Sequence, residues 1–152
     1  MSAVVDASLL VAALVDSGPD GAWAEEVVAD APLYAPELAS VEAANILRRL
    51  ERAKQITSAT ANAAYEDLLQ LDLELFPFQP FAQRIWELRY NVTSYDAWYV
   101  ALAESISLPL ATLDKKLART KGVTCEFLTP ASSWRSAPAR TRRYEAPRRT
   151  SM

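Results

Sequence analysis

The sequence predicts an α/β fold: a three-layer α/β/α sandwich with helices on both faces of a central parallel sheet. Three observations carry that expectation. Short apolar runs such as Ala3–Val5 and "LPLATL" alternate with longer helix-like segments. The runs are apolar on both faces, as strands covered by helices on both sides are. Only 3 of the 152 residues are glycine while 51% are hydrophobic, which suits a helix-rich domain with a substantial core.

The elements follow in order. "AVVDAS" reads as a buried strand over Ala3–Val5 that stops at Asp6, with a helix starting near Ser8. "PDGAWAEEVVAD" continues as helix after the break at Gly18 and Pro19, and "PLYAP" is a brief strand. In "PELASVEAANILRRLERAK", Pro36 and Glu37 mark the first turn of a long helix whose apolar stripe is Leu38, Val41, Ile46, Leu47 and Leu50. A helix covers 58–71, "LELFPF" is a strand, "PFAQRIWELRYN" a helix, and Ser94–Ser107 a further helix. "LPLATL" is a strand, "DKKLART" a short helix and "VTCEFL" the last strand. One domain is expected over 1–130, followed by a tail over 131–152 in which six arginines face a single acid, Glu145. The Ser, Thr, Pro and Arg content of that tail predicts disorder; it is either a solvated extension or an electrostatic tether for RNA.

Composition narrows the chemistry. With no histidine, imidazole catalysis, a Ser-His-Asp triad and HExxH zinc chemistry are all excluded. The single cysteine, Cys125, permits neither an intramolecular disulfide nor a cysteine-cluster zinc site, and is read as a buried inert thiol. No Gly-rich phosphate loop is present. Hydrolytic chemistry in such a chain must run on carboxylates, with hard cations as partners. "MSAVVDASLLVAALVDS" lacks a basic leader region and carries Asp6 within its apolar stretch, so a cytoplasmic, soluble protein is expected, with no membrane partner.

Four acids border apolar faces. Asp6 directly follows the first strand and Asp114 follows "LPLAT" by two residues, both near the carboxyl ends of strands, where open parallel sheets bind ligands. Each also suits a helix cap. Asp96 stands third after Thr93 in a capping-box pattern, yet its helix-spaced neighbours are Tyr99, Val100 and Ala103. Glu42 lies inside its helix, with Leu38 and Ile46 along its own face; a surface salt bridge is the alternative. If the four converge, two carboxylates about 5 Å apart repel by roughly 3 kcal/mol at an effective dielectric near 20. Such a cluster takes up protons or holds cations, and oxygen-only ligation selects Mg²⁺ or Mn²⁺.

Read together, "VVDAS", "PELASVEAANILRRL", "YDAWYVALAE" and "PLATLDKKLA" resemble the successive signature segments of PIN-domain ribonucleases, and within them the VapC toxins of VapBC toxin–antitoxin modules. The resemblance runs from residue 3 to about 128. It implies a PIN-like sheet of about five parallel strands with an acidic pocket at their carboxyl ends. It carries the family's acids onto Asp6, Glu42, Asp96 and Asp114, as catalytic and metal-holding residues, and its hydroxyl groups onto Ser8 and Thr112, as supporting ones. It further implies a Mg²⁺- or Mn²⁺-dependent endoribonuclease, a homodimer, and a cognate VapB-type antitoxin as partner. "ISLPL" departs from the pattern by lacking the glycine often found before the last catalytic strand.

The first 130 residues hold 10 basic and 18 acidic side chains, so RNA must be met locally by metal ions and by bases flanking the acids. Lys115, Lys116 and Arg119 are the candidates for phosphate contact, with Arg48, Arg49 and Lys121 near them in sequence to the acids; a solvated helix face is the plain alternative. Tyr95, Trp98 and Tyr99 either stack on bases or belong to the core. Two other readings remain open: a non-catalytic PIN-like module that binds RNA or protein, and another carboxylate–Mg²⁺ fold such as a receiver domain or a haloacid-dehalogenase-type phosphatase. The second requires an acidic pair or a D-x-D, whereas the first strand here leads into Asp6-Ala7-Ser8.

Overall fold

A computed structural model describes residues 2–30 and 32–130; the tail from 131, with the disorder and RNA tether expected of it, lies outside the described residues. The elements are β1 (Ala3–Val5), α1 (Ala7–Val15), α2 (Pro19–Ala29), β2 (Leu33–Pro36), α3 (Leu38–Arg52), α4 (Ser58–Gln70), β3 (Leu73–Phe76), α5 (Ala82–Glu87), α6 (Ser94–Ile106), β4 (Leu110–Ala111) and β5 (Phe127–Leu128). Short 3-10 turns stand at Gln79–Phe81, Leu88–Tyr90 and Leu117–Arg119. All strand pairs are parallel, in the order β3-β2-β1-β4-β5. The α/β sandwich is therefore as expected, and β1 sits at its centre.

The order in which strands are added reverses at β1. The path from β1 to β3 steps outward one way, then returns over the sheet to β4 on the other side of β1. The carboxyl ends of β1 and β4 thus flank the switch point where such sheets bind ligands. Helices α1 to α4 pack on one another, while α6 lies on β1, β2 and β4 with α5 beside it. Burial explains these positions. β1 is buried end to end, and α1 buries Leu9, Leu10 and Val11 in the core, each worth about 1.5–3 kcal/mol when fully covered. In α6, Ala97, Ala101 and Ala103 let the helix approach closely. Gly21 does the same where α2 passes the end of α1: a Cβ there would stand 1.9 Å from the Asp16 carbonyl oxygen. No helix among the described residues is long and apolar enough to cross a membrane.

Several expectations are corrected. "PFAQRIWELRYN" is a single α-helical turn and a half between two 3-10 turns, because it is folded around three buried side chains, Phe81, Ile85 and Leu88, that pull it onto α6. "DKKLART" contains only a 3-10 turn; Asp114 Oδ1 takes the backbone N–H groups of Lys116 and Leu117 and closes the chain too tightly for a helix. "LPLATL" and "VTCEFL" pair over two residues each, since β5 is a short edge and β4 is left at Thr112 for a side-chain contact described below. Pro36 ends β2, and Glu37 caps α3 without a side-chain bond. The edge strand β3 exposes Glu74 and Leu75, so not every strand is apolar on both faces. Cys125 precedes β5 and is half-buried; burial pushes its thiol up to about 11, which keeps it unreactive.

The missing glycine has a structural counterpart. Ser107 caps α6 in the left-handed conformation, φ 55°, and its N–H bonds back to Ala103 and Glu104. Only glycine adopts that conformation without a Cβ penalty. Ser107→Gly is therefore expected to raise stability by about 0.5–1 kcal/mol, read as a melting temperature about 1–4 °C higher with unchanged activity. A lower melting temperature would show that the Ser107 side chain matters more than its backbone.

A clasp joins the two ends of the α5–α6 layer to the segment before β5. Arg84 grips Glu104 through Nε (2.8 Å) and Nη2 (3.1 Å), and the same Nη2 donates to the Gly122 carbonyl at 2.9 Å. Glu104 also accepts the Thr124 N–H at 2.8 Å, and Asn91 Nδ2 donates to the Lys121 carbonyl at 2.8 Å. These bonds outweigh burial and hold the Glu104 carboxyl below its usual value.

Candidate active site

Three helix starts and one turn face the switch point. Asp6 leaves β1 and caps α1: its Oδ1 accepts the Leu9 N–H at 3.0 Å and the Ser8 hydroxyl at 2.7 Å. Its Oδ2 accepts the hydroxyl of Thr112, which follows β4 and is fully buried. The Thr112 oxygen in turn accepts the Asp114 N–H at 2.9 Å, so one hydroxyl joins the two strand-end acids. Asp96 belongs to the first turn of α6, whose cap, Thr93, accepts the Asp96 N–H at 3.2 Å. Glu42 projects from the second turn of α3, and its Oε1 accepts the Tyr99 hydroxyl at 2.7 Å.

The electrostatics tie the four acids together. Burial raises the Asp6 carboxyl; bonds from Thr112, Leu9 and Ser8 oppose that, and the Asp114 charge adds to it. Glu42 is raised by burial, against the Tyr99 bond, and then by the charges of Asp96 and Asp6. Asp96 is raised by burial and by Asp114, against the Thr93 bond and the nearby charge of Lys116. Asp6, Glu42 and Asp96 therefore each feel at least one other acid, and each prefers to be less charged than a separate carboxylate. Helix starts offset part of that strain. Tyr99 is raised too, by burial and by Glu42, so its phenol remains a donor at every working pH.

Asp114 acts on Asp6 and Asp96, Asp96 and Asp6 act on Glu42, and Ser8 and Thr112 bond directly to Asp6. Lys115, Lys116 and Arg119 are exposed on the segment after Asp114, with Lys116 close enough to act on Asp96. Arg48, Arg49 and Lys121 are exposed as well. The three aromatics divide. Tyr95 is exposed, Trp98 is half-buried edge-on to Phe78 at 5.4 Å, and Tyr99 is buried. The Tyr99–Glu42 bond escaped sequence reasoning; its one signal was that Tyr99 stands three residues after Asp96, on the same helix face, with a polar tip that needs a partner when buried.

Carboxylate oxygens in mutual repulsion are the donor set of a hard divalent cation, which would relieve the raised charge cost. The fit is one of donor type and charge. Among the described residues no group of three or more His, Cys, Asp or Glu side chains is placed to hold a metal ion.

Residues 3–123 match the PIN domain family. Ribonuclease VapC9 of Mycobacterium tuberculosis is 37% identical over 122 residues, 80% of this chain and 93% of that protein. Among solved structures, PAE2754 from Pyrobaculum aerophilum superposes with a TM-score of 0.59 at 26% identity, over 81% of this chain and 82% of the other. VapBC2 from Rickettsia felis, bound to a DNA fragment from its promoter, gives 0.59 at 15% identity over 86% and 100%, a likeness of fold alone. Matched along most of its described length in sequence and in sheet topology, this chain belongs to the PIN domain family and, within it, to the VapC type.

Proposed function

We propose that the chain is a metal-dependent endoribonuclease, the toxin component of a type II toxin–antitoxin module, acting in the cytoplasm. One observation carries the reading: in a chain of the VapC type without histidine, four carboxylates from four separate segments act on one another where the strand order reverses.

We assign Asp6 and Asp96 as the principal holders of Mg²⁺ or Mn²⁺, with Glu42 and Asp114 completing the set. Such an ion, when bound, supplies Lewis acidity and water of lowered pKa. The chain's own residues do the rest. Ser8, Thr112 and the Leu9 N–H fix the Asp6 carboxylate from three sides. Thr93 seats Asp96 at the helix start. Lys115, Lys116 and Arg119 draw the phosphate backbone to a pocket that would otherwise repel it. With water as nucleophile, its oxygen bonds to phosphorus and the bond to the 3′ oxygen breaks, leaving a 5′-phosphate and a 3′-hydroxyl.

The direct test is purified protein with total RNA, with and without Mn²⁺, beside an Asp6→Ala control. Cleavage that EDTA abolishes, Mn²⁺ restores and the control lacks supports the reading; metal-independent cleavage, or none, overturns it. Stability gives a second test. The raised carboxyls of Asp6, Glu42 and Asp96 lend stability below their unfolded values of 3.8 and 4.5, and lose it as pH rises through their folded values. Glu104 works the other way, but its contribution changes only below 4.5. In EDTA the melting temperature should therefore fall as pH rises above the unfolded value of 4.5, and Mn²⁺ should restore it more at the upper end. A profile that rises with pH, or ignores Mn²⁺, counts against the site.

We further propose a cognate VapB-type antitoxin and a homodimer. Membership of the VapC type supports both, and an acidic pocket is suited to an inserted Arg or Lys from the antitoxin. Co-expression with the adjacent small reading frame should suppress activity, and light scattering reads the dimer.

A further inference from the structure

Tyr99 is only 2% exposed, yet its hydroxyl donates to a carboxylate 57 residues away in sequence. A core tyrosine usually turns its oxygen toward solvent or a backbone carbonyl. This one lies among acids: its hydroxyl donates to Glu42 Oε1 at 2.7 Å, and the charge of Asp6 also reaches it. One atom on α6 therefore reaches the second turn of α3.

Glu42 needs such a link. It is half-buried, its side chain has three rotatable bonds, and both Asp96 and Asp6 repel it. Left to itself, a glutamate so placed turns outward to water, where its charge is better solvated. The Tyr99 bond holds it inward through Oε1 and leaves Oε2 with no hydrogen-bond partner among the described residues.

We infer that Tyr99 is a positioning residue: its buried hydroxyl fixes the Glu42 carboxylate toward Asp6 and Asp96, presenting Oε2 to the cation. The inference rests on the metal reading above, and extends the working site to a residue that touches neither metal nor RNA. It also accounts for a tyrosine where phenylalanine would fill the same core volume.

The test uses RNA-free, full-length protein and calorimetric titration with Mn²⁺. Tyr99→Phe is expected to weaken Mn²⁺ binding about tenfold or more, comparably to Glu42→Gln. In the double variant the second change should add nothing, because Tyr99 acts only through Glu42. Thermal melts confirm that each variant is folded at the titration temperature. A purely structural Tyr99 would lower the melting temperature and leave the Mn²⁺ affinity within about twofold, and that result overturns the inference. So does a double variant weakened by the product of the two single effects. If Glu42→Gln and Asp96→Asn also bind Mn²⁺ like the wild type, the metal assignment itself falls, which is a different pattern from the failure of Tyr99→Phe alone.

Discussion

Asp96→Asn is expected to abolish RNA cleavage, by about 100-fold or more, while the protein melts no lower than the wild type. The activity loss follows from removing a charge that the proposed cation needs. The stability result follows from the raised carboxyl: burial and the Asp114 charge outweigh the Thr93 bond and Lys116, so the fold already prefers a neutral group there. Asparagine supplies that neutral group at nearly the same volume, and the cap from Thr93 uses the backbone N–H, which it keeps. A residue that served only the helix start would behave oppositely. Its replacement would cost up to about 1 kcal/mol and leave the cleavage rate alone. Paired melts and rate measurements on the same preparation separate the two.

Thr112→Val should damage both fold and activity. The buried hydroxyl donates to Asp6 and accepts from the Asp114 N–H, and valine can do neither. Leaving buried polar groups unpaired costs about 1–3 kcal/mol each. For a chain of this size that corresponds to a fall of about 5–10 °C in melting temperature. Asp6 loses the largest of the bonds that keep its carboxyl down, so its charged form becomes scarcer. Activity should drop about 10–100-fold, as changes behind a metal-holding residue generally do. Thr112→Ser keeps the hydroxyl and should recover most of both. If valine is tolerated in both measurements, the join between the two strand-end acids is incidental.

What the sequence revealed depended on how local each cause was. Asp6 was legible because a carboxylate that ends a buried strand and starts a helix is visible in five consecutive letters. Asp96 was legible for a similar reason, as the third residue after Thr93 on a mostly buried helix. Their meeting with Glu42 and Asp114 was not local, and the family's segments in register supplied it. Element ends were less readable. "LPLATL" looks like six residues of strand, but β4 pairs only over Leu110–Ala111; Thr112 adds one backbone bond to Leu128 while its side chain turns to Asp6. "PFAQRIWELRYN" has a helical pattern, but the packing of Phe81, Ile85 and Leu88 against α6 divides it. Tyr99 was read as one of three similar aromatics, since nothing near it in the chain names Glu42 as its partner.

The clasp around Arg84 has a consequence for how this protein can diversify. The basic segment is pinned at one foot by Asp114, whose backbone is bonded to Thr112, and at the other by Lys121, Gly122 and Thr124, fastened to Asn91, Arg84 and Glu104. Between those feet the exposed positions 115, 116 and 119 bear on the fold only lightly. Different letters can be exchanged there without shifting the acid at the segment's base: a replaceable fingertip on a fixed hand.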